Sequence, residues 1–471
     1  MGRRLTERSK QEAKGNPAAA PSAALARTER LLKAPIVPTL LRLAAPGVLL
    51  MIFQSAISIT DAYFVGRLGT APLAGLALVF PLIMLLQMTS AGAMGGGVAS
   101  AIARALGAGR THEARVLGVH ALLIGVGMGL AFTLLALLLG PSIYRALGGK
   151  GDALAAALAY SNVLFAGAVL TWLANTLASI LRGTGNMLVP ALALISASLV
   201  HVPLSGMLVL GAGPLPQLGI AGAGVAYICA FGFASLIMLI YLLRPDSLLR
   251  PRREDLELDA RMFREILRVG AISSVNALQT VFTAVILTGI VGRFGTAAIA
   301  GYGVGVRLEL LQVPLVFAIG QALVPHIGIN IGAGQGARAK RIAWAGTAIA
   351  ASVSLAIGLF VAIFPVAWVG LFSSDASVLE AGSSYLRIVG PFYPFLATGV
   401  ALYFASQGAG RMAMPVVAGT LRLALALAGG LAAVALGAPI AAIFAVIAFA
   451  MLVYGLFTGL AVFRSKWPTE R

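Results

Sequence analysis

One stretch of this chain occurs twice. Val65 to Gly75 reads VGRLGTAPLAG, and Val291 to Gly301 reads VGRFGTAAIAG, about 226 residues later. Further pairs keep that offset to within a residue. Leu85-Leu86-Gln87 answers Leu310-Leu311-Gln312, Gly107-Ala108-Gly109 answers Gly332-Ala333-Gly334, and Gly183 and Pro190 answer Gly408 and Pro415. The spacing is far too long for a solenoid, so it marks a duplicated lobe. Lobes duplicated within an apolar chain are the pattern of secondary transporters, whose site lies between the halves.

Composition identifies the solvent. The chain is 59% hydrophobic and 11% charged, with a mean hydropathy of +0.95, whereas soluble domains carry about 25% charged residues. Apolar runs of about 18–25 residues recur along it, each long enough to cross a bilayer. About twelve helices are predicted, starting near Leu40, Pro72, Ala114, Leu154, Met187, Gly219, Phe263, Ile299, Ala339, Gly382, Met412 and Ile440. Outer-membrane barrels show short alternating segments instead. The predicted fold class is an all-α polytopic membrane protein. It has two six-helix bundles related by a parallel, pseudo-twofold internal repeat, because six is even and both lobes enter from one side.

The domain reading follows. Residues 1–33 are expected to be a disordered basic cytoplasmic tail, poor in large apolar side chains, and the apolar segment after them is too long for a signal peptide. Residues 34–245 form the first lobe, 246–259 a cytoplasmic linker, 260–465 the second lobe and 466–471 a short tail. A net charge of +18 fits a nucleic-acid binder by magnitude, but its placement does not. About 27 of the 34 Lys and Arg lie in the tails and even-numbered connections, which puts both termini and the linker in the cytoplasm of a bacterial-type plasma membrane. Such basic segments sit against anionic lipid headgroups. Cys229 is the single cysteine, expected as a small buried side chain in the sixth span, with no disulfide and no thiolate metal cluster.

No Walker A motif and no His-Glu-x-x-His motif occurs, and the glycines from Gly332 to Gly336 follow a membrane helix and read as a turn. No cofactor, no resident metal and no enzymatic activity are expected; an ion gradient is left as the energy source. Only Asp61 and Glu309 of the 16 carboxylates lie within apolar spans. A charge at the bilayer centre costs about 2.5–3.5 kcal/mol on insertion scales, so each is a candidate functional group. Gln54, Ser58 and Asp61 share one face of the first span. Tyr302, Gly305, Glu309 and Gln312 make a stripe on the eighth, and Ser273, Asn276, Thr280 and Thr283 one on the seventh, with Gln279 beside it. His201 shares a stripe with Ser198 and Ser205 on the fifth and is a second titratable candidate. Structural readings compete: an ion pair of Asp61 with Arg67, neutralisation of Glu309 by Arg307, or amides that only pack helices.

Together these segments resemble the multidrug and toxic compound extrusion (MATE) transporters. The likeness rests on Asp61 followed by Val65-Gly66-Arg67-Leu68-Gly69, on Gly107-Ala108-Gly109, and on Arg182-Gly183-Thr184-Gly185-Asn186 with Pro190. In the second lobe it rests on Gly332-Ala333-Gly334 and on Gly408-Ala409-Gly410 with Pro415. The resemblance implies two bundles forming a V and export of organic cations in exchange for protons or sodium. It implies that Asp61 binds the coupling cation and that Glu309 contributes to the second-lobe cavity. A branch of that family carries a second aspartate in the fifth helix just before a proline; here Val202 precedes Pro203. Another branch uses a glutamate in the seventh helix and an aspartate in the tenth, where this chain has Asn276 and Gln279 and no central acid. A lone buried carboxylate suits a proton better than sodium, since burial disfavours its charged form.

The expected function is therefore a monomeric antiporter of amphipathic organic cations driven by inward proton flux, with sodium as the second choice. The alternatives are a flippase-like transporter of a lipid-linked precursor, which would need a more cationic groove than Arg307 and Arg422 supply, and a non-transporting scaffold or receptor.

Overall fold

The computed structural model describes residues 23–467. Seventeen α-helices make it up, with no β-strand among the described residues. They are α1 (Ala23–Lys33), α2 (Ile36–Gly66), α3 (Thr70–Gln87), α4 (Gly95–Gly107), α5 (Thr111–Ala146) and α6 (Gly151–Ala166). Then come α7 (Ala168–Gly183), α8 (Leu188–Leu210), α9 (Ile220–Leu242), α10 (Ala260–Gly292), α11 (Thr296–Gly332) and α12 (Gly336–Ile363). The last are α13 (Pro365–Val369), α14 (Ala376–Val389), α15 (Tyr393–Gly408), α16 (Ala413–Ala435) and α17 (Ile440–Arg464). Eleven helical stretches are long and apolar enough to span a bilayer, and the α6–α7 pair, bent by 49°, brings the number to twelve. Their outer faces carry exposed leucines such as Leu134, Leu135 and Leu138 on α5. That surface would be costly in water and suits lipid.

The helices pack as two six-span bundles with the same internal plan. In the first, α2 lies on α8, α3 on α6, α5 on α7, and α9 on both α7 and α8. In the second, α10 lies on α16, α11 on α14, α12 on α15, and α17 on both α15 and α16. The glycines of the repeat occupy matching contacts. A Cβ on Gly66 would meet Leu73, and one on Gly292 would meet Ile299; Gly183 lies on Ala99 and Ile102, and Gly408 on Val324 and Ile327.

The lobes touch where α4 crosses α11. Gly107 lies against the carbonyl of Ile329, and Gly332 against the carbonyl of Arg104. Each contact is the other with the lobes exchanged, the relation a pseudo-twofold axis imposes. Any side chain at either glycine would drive into backbone, so the crossing needs glycine at both. Interlobe polar contacts lie on the same side. Arg104 Nη2 is 2.8 Å from Glu265 Oε1, and Arg104 Nη1 donates to the Gly408 carbonyl at 3.3 Å. Both described chain ends also lie on this side, because Arg338 donates to the Ala34 carbonyl and Lys340 to that of Phe463.

Between α3 and α4, residues Met88–Met94 form a π-helical turn. Thr89 and Ser90 bond back to the carbonyls of Leu85 and Leu86 there. The widened turn leaves the Gly92 and Ala93 carbonyls available. Gln407, on α15 of the other lobe, donates its Nε2 to both at 3.1 Å, and Gly96 leaves the room its side chain needs.

Two expectations need correction. Residues 23–33, placed in the disordered tail, form helix α1. Leu31 there is buried against Ala103 and Ile329, one from each lobe. That contact supplies the apolar burial the tail was thought to lack; residues 1–22 lie outside the described part. Cys229 is exposed on α9 rather than buried, since an apolar span does not reveal from sequence which face meets lipid.

Candidate functional site

Asp61 sits five residues before the end of α2 that lies farthest from the chain ends, and it is 7% exposed. Its carboxylate turns towards α8. His201 Nε2 lies 2.9 Å from Oδ1 and 3.0 Å from Oδ2, and Ser205 Oγ donates to Oδ1 at 2.7 Å. His201 and Ser205 are one helical turn apart on α8 and almost fully buried. Hydrogen bonds to a charged group contribute about 1.5–3 kcal/mol each, which offsets much of the cost of keeping a carboxylate in the membrane. The Tyr227 ring stands edge-on to His201, 6.4 Å between centroids. Its hydroxyl accepts from Gln87 Nε2 at 2.6 Å, and Asn175 Nδ2 donates to Gln87 Oε1 and to Ser90 Oγ. The chain of polar groups therefore runs towards the π-turn. Arg67 is directed at the Tyr63 hydroxyl, so the competing structural reading, an ion pair with Asp61, is not what holds Asp61.

The second lobe holds Glu309 differently. Its carboxylate accepts a hydrogen bond from the Tyr385 hydroxyl on α14. Tyr302 packs edge-on to Tyr385 with centroids 5.3 Å apart, and Phe444 of α17 packs on Tyr385 at 5.2 Å. Arg307 lies over the Phe372 ring, not beside Glu309. Arg422 lies over the ring of Tyr454, 5.5 Å from its centroid.

The remaining predicted residues divide. Gln54 is half-buried two turns along α2 from Asp61, and Ser58 is exposed, with its hydroxyl turned back to the Gln54 carbonyl at 3.5 Å. Asn276 and Gln279 both face α16 at Gly419, and Gln279 Nε2 donates to Thr420 Oγ1 at 2.7 Å. The Gln279 bond joins α10 to α16, while its Oε1 has no hydrogen-bond partner among the described residues. Gln312 is buried, 3% exposed, and its Oε1 has no hydrogen-bond partner among the described residues. Sequence reasoning missed Tyr385, Asn175, Tyr227 and Gln407. Asn175 and Gln407 carried a signal, being amides in otherwise apolar helices; the tyrosines carried none, since their rings also fit a plain core.

The MatE family model matches residues 46–207 and 271–430, one segment in each lobe. The chain belongs to the MatE family. Among relatives, it is 26% identical over 376 residues to the FAD transporter of Shewanella oneidensis, covering 80% of this chain and 82% of that one. It is 23% identical over 379 residues to the probable multidrug resistance protein NorM of Thermotoga maritima, covering 80% and 81%. Its fold matches the solved structure of a MOP superfamily transporter from Pyrococcus furiosus with a TM-score of 0.85 and 24% identity, over 94% of this chain and 98% of that one. This chain is thus a multi-pass membrane transporter of the MatE family.

Proposed function

We propose that this MatE-family transporter exports amphipathic organic cations in exchange for protons entering through Asp61. The observation that carries the reading is a carboxylate buried in the first bundle whose partners are an imidazole and a hydroxyl rather than a fixed cation. Such a group can change charge. Alternating access requires one that does, because a ligand biases conformations only through differential affinity for them. Glu309, with Tyr302 and Tyr385, is proposed to attract the cationic part of the cargo in the second lobe, and Gln54 and Gln312 to line the path. The seam of α4 and α11 would be the closed gate on the cytoplasmic side, with both termini and the linker in the cytoplasm. The protein would act as a monomer in a bacterial plasma membrane.

The test is uptake of a fluorescent cation into everted vesicles, with proton and sodium gradients imposed separately. Proton-driven uptake abolished by Asp61→Asn supports the reading; sodium-driven uptake, or none with either ion, refutes it. The Shewanella relative's name brings a flavin nucleotide into the assay as a competitor. Export of that anion in place of the cationic dye would replace the cargo assignment.

A further inference from the structure

From the geometry around Asp61 we infer that His201 determines ion choice, restricting the coupling carboxylate to protons and excluding sodium. The inference rests on the proposed coupling role of Asp61 and adds the residue that decides which ion the carboxylate takes. A hard cation such as sodium needs several oxygen lone pairs directed at one point. At Asp61 the nearest positions are taken by other groups. The imidazole Nε2 lies within hydrogen-bond distance of both carboxylate oxygens, and the Ser205 hydroxyl donates to Oδ1 as well. With Nε2 carrying its hydrogen, both neighbours of the carboxylate are donors towards it, and the imidazole adds no oxygen ligand.

A proton meets no such barrier, because it needs one lone pair and can be shared along the nitrogen–oxygen contact. The position is rigidly held. His201 is 1% exposed, and its ring is flanked by Tyr227 from α9. The phenols of Tyr160 on α6 and Tyr227 on α9 also lie within electrostatic reach of Asp61.

The experiment substitutes His201→Asp and, as a milder change, His201→Asn. Each replaces the imidazole with a side chain that offers oxygen lone pairs beside Asp61 and Ser205. Two readouts are taken on full-length protein: dye efflux under a sodium or a proton gradient, and melting temperature in sodium chloride against potassium chloride at equal ionic strength. In the wild type, sodium should neither drive efflux nor raise the melting temperature relative to potassium. In a folded variant, sodium should raise the melting temperature by several degrees and drive efflux at least threefold above background. If both variants fold and neither responds to sodium, or if the wild type already responds, the inference about His201 is overturned. If Asp61→Asn leaves proton-driven efflux intact, the coupling reading beneath it fails instead.

Discussion

Asp61 and Glu309 are both carboxylates inside apolar bundles, yet their neighbours fit them for different tasks. Asp61 has an imidazole and a hydroxyl as partners, whereas Glu309 accepts from a tyrosine set among aromatic rings. A carboxylate beside aromatic faces attracts organic cations through charge and through the ring quadrupoles together. Glu309→Gln should therefore weaken export of a cationic dye about tenfold while changing a neutral one by less than about twofold. Efflux assays with a matched dye pair check this, and an equal loss for both would point to a packing defect. Tyr385→Phe should give a smaller loss, since it removes one hydrogen bond and keeps the ring. Much of this site was legible in the sequence, because an acid in an apolar span is conspicuous and helical spacing placed Gln54, Asp61, His201 and Ser205 on defined stripes. The pairing of Glu309 with Tyr385 was not, since the two are 76 residues apart and meet only through the packing of α11 on α14.

At the scale of elements, the closed seam depends on a few contacts that cross between lobes. Gln407 joins α15 to the π-turn through the Gly92 and Ala93 carbonyls and to α10 through Ser273 Oγ at 3.2 Å. Losing these bonds leaves buried carbonyls unpaired, at about 1–3 kcal/mol each. Gln407→Leu should lower the melting temperature and speed maleimide labelling of a cysteine placed at Ser100, which is buried on α4. Unchanged labelling would mean that the seam does not depend on Gln407. Helix α1 adds a second tie. Leu31 packs against both lobes, and its carbonyl accepts from Asn330 Nδ2 at 3.1 Å. Leu31→Ala should destabilise the protein by about 2–4 kcal/mol, as buried leucine truncations do, read out as thermal unfolding in detergent. Asp375 caps α14, accepting from the Ser377 hydroxyl and from the Ser377 and Val378 amides. The Ser377 hydroxyl, then those amides, hold its carboxyl below the usual carboxylate range. With the folded value depressed, the cap's contribution is present above the ordinary carboxylate value and is lost as pH falls through the folded one. The twelve spans could be read from hydropathy, but α1 and the π-turn could not. Helix α1 has helix-forming residues and an i,i+4 Glu29–Lys33 pair of its own, but its docking against Ile329 and the pairing of the π-turn with Gln407 involve partners far along the chain.

Across the whole molecule, the repeat partners Gly107 and Gly332 make equivalent contacts at the lobe crossing, although the sequence showed them only as repeated glycines at turns. The proposed sidedness rests on the placement of Lys and Arg. In a Cys229→Ser background, a cysteine at Leu256 of the linker should react with an impermeant maleimide only in everted vesicles, and one at Leu436, beyond α16, only from the outside. The reverse labelling would invert the proposed orientation. The driving force is sufficient: one charge crossing 100 mV supplies about 2.3 kcal/mol, enough for roughly 50-fold accumulation. The central claim is that Asp61 couples the proton to the cargo. Its most direct test is proteoliposomes with no imposed pH gradient, an outward gradient of cationic substrate and a pH dye in the lumen. Wild-type protein should acidify the lumen as substrate leaves, and Asp61→Asn should leave lumen pH at the level of protein-free vesicles. Equal acidification by both proteins, or substrate exit from wild type with no proton movement, would contradict the account.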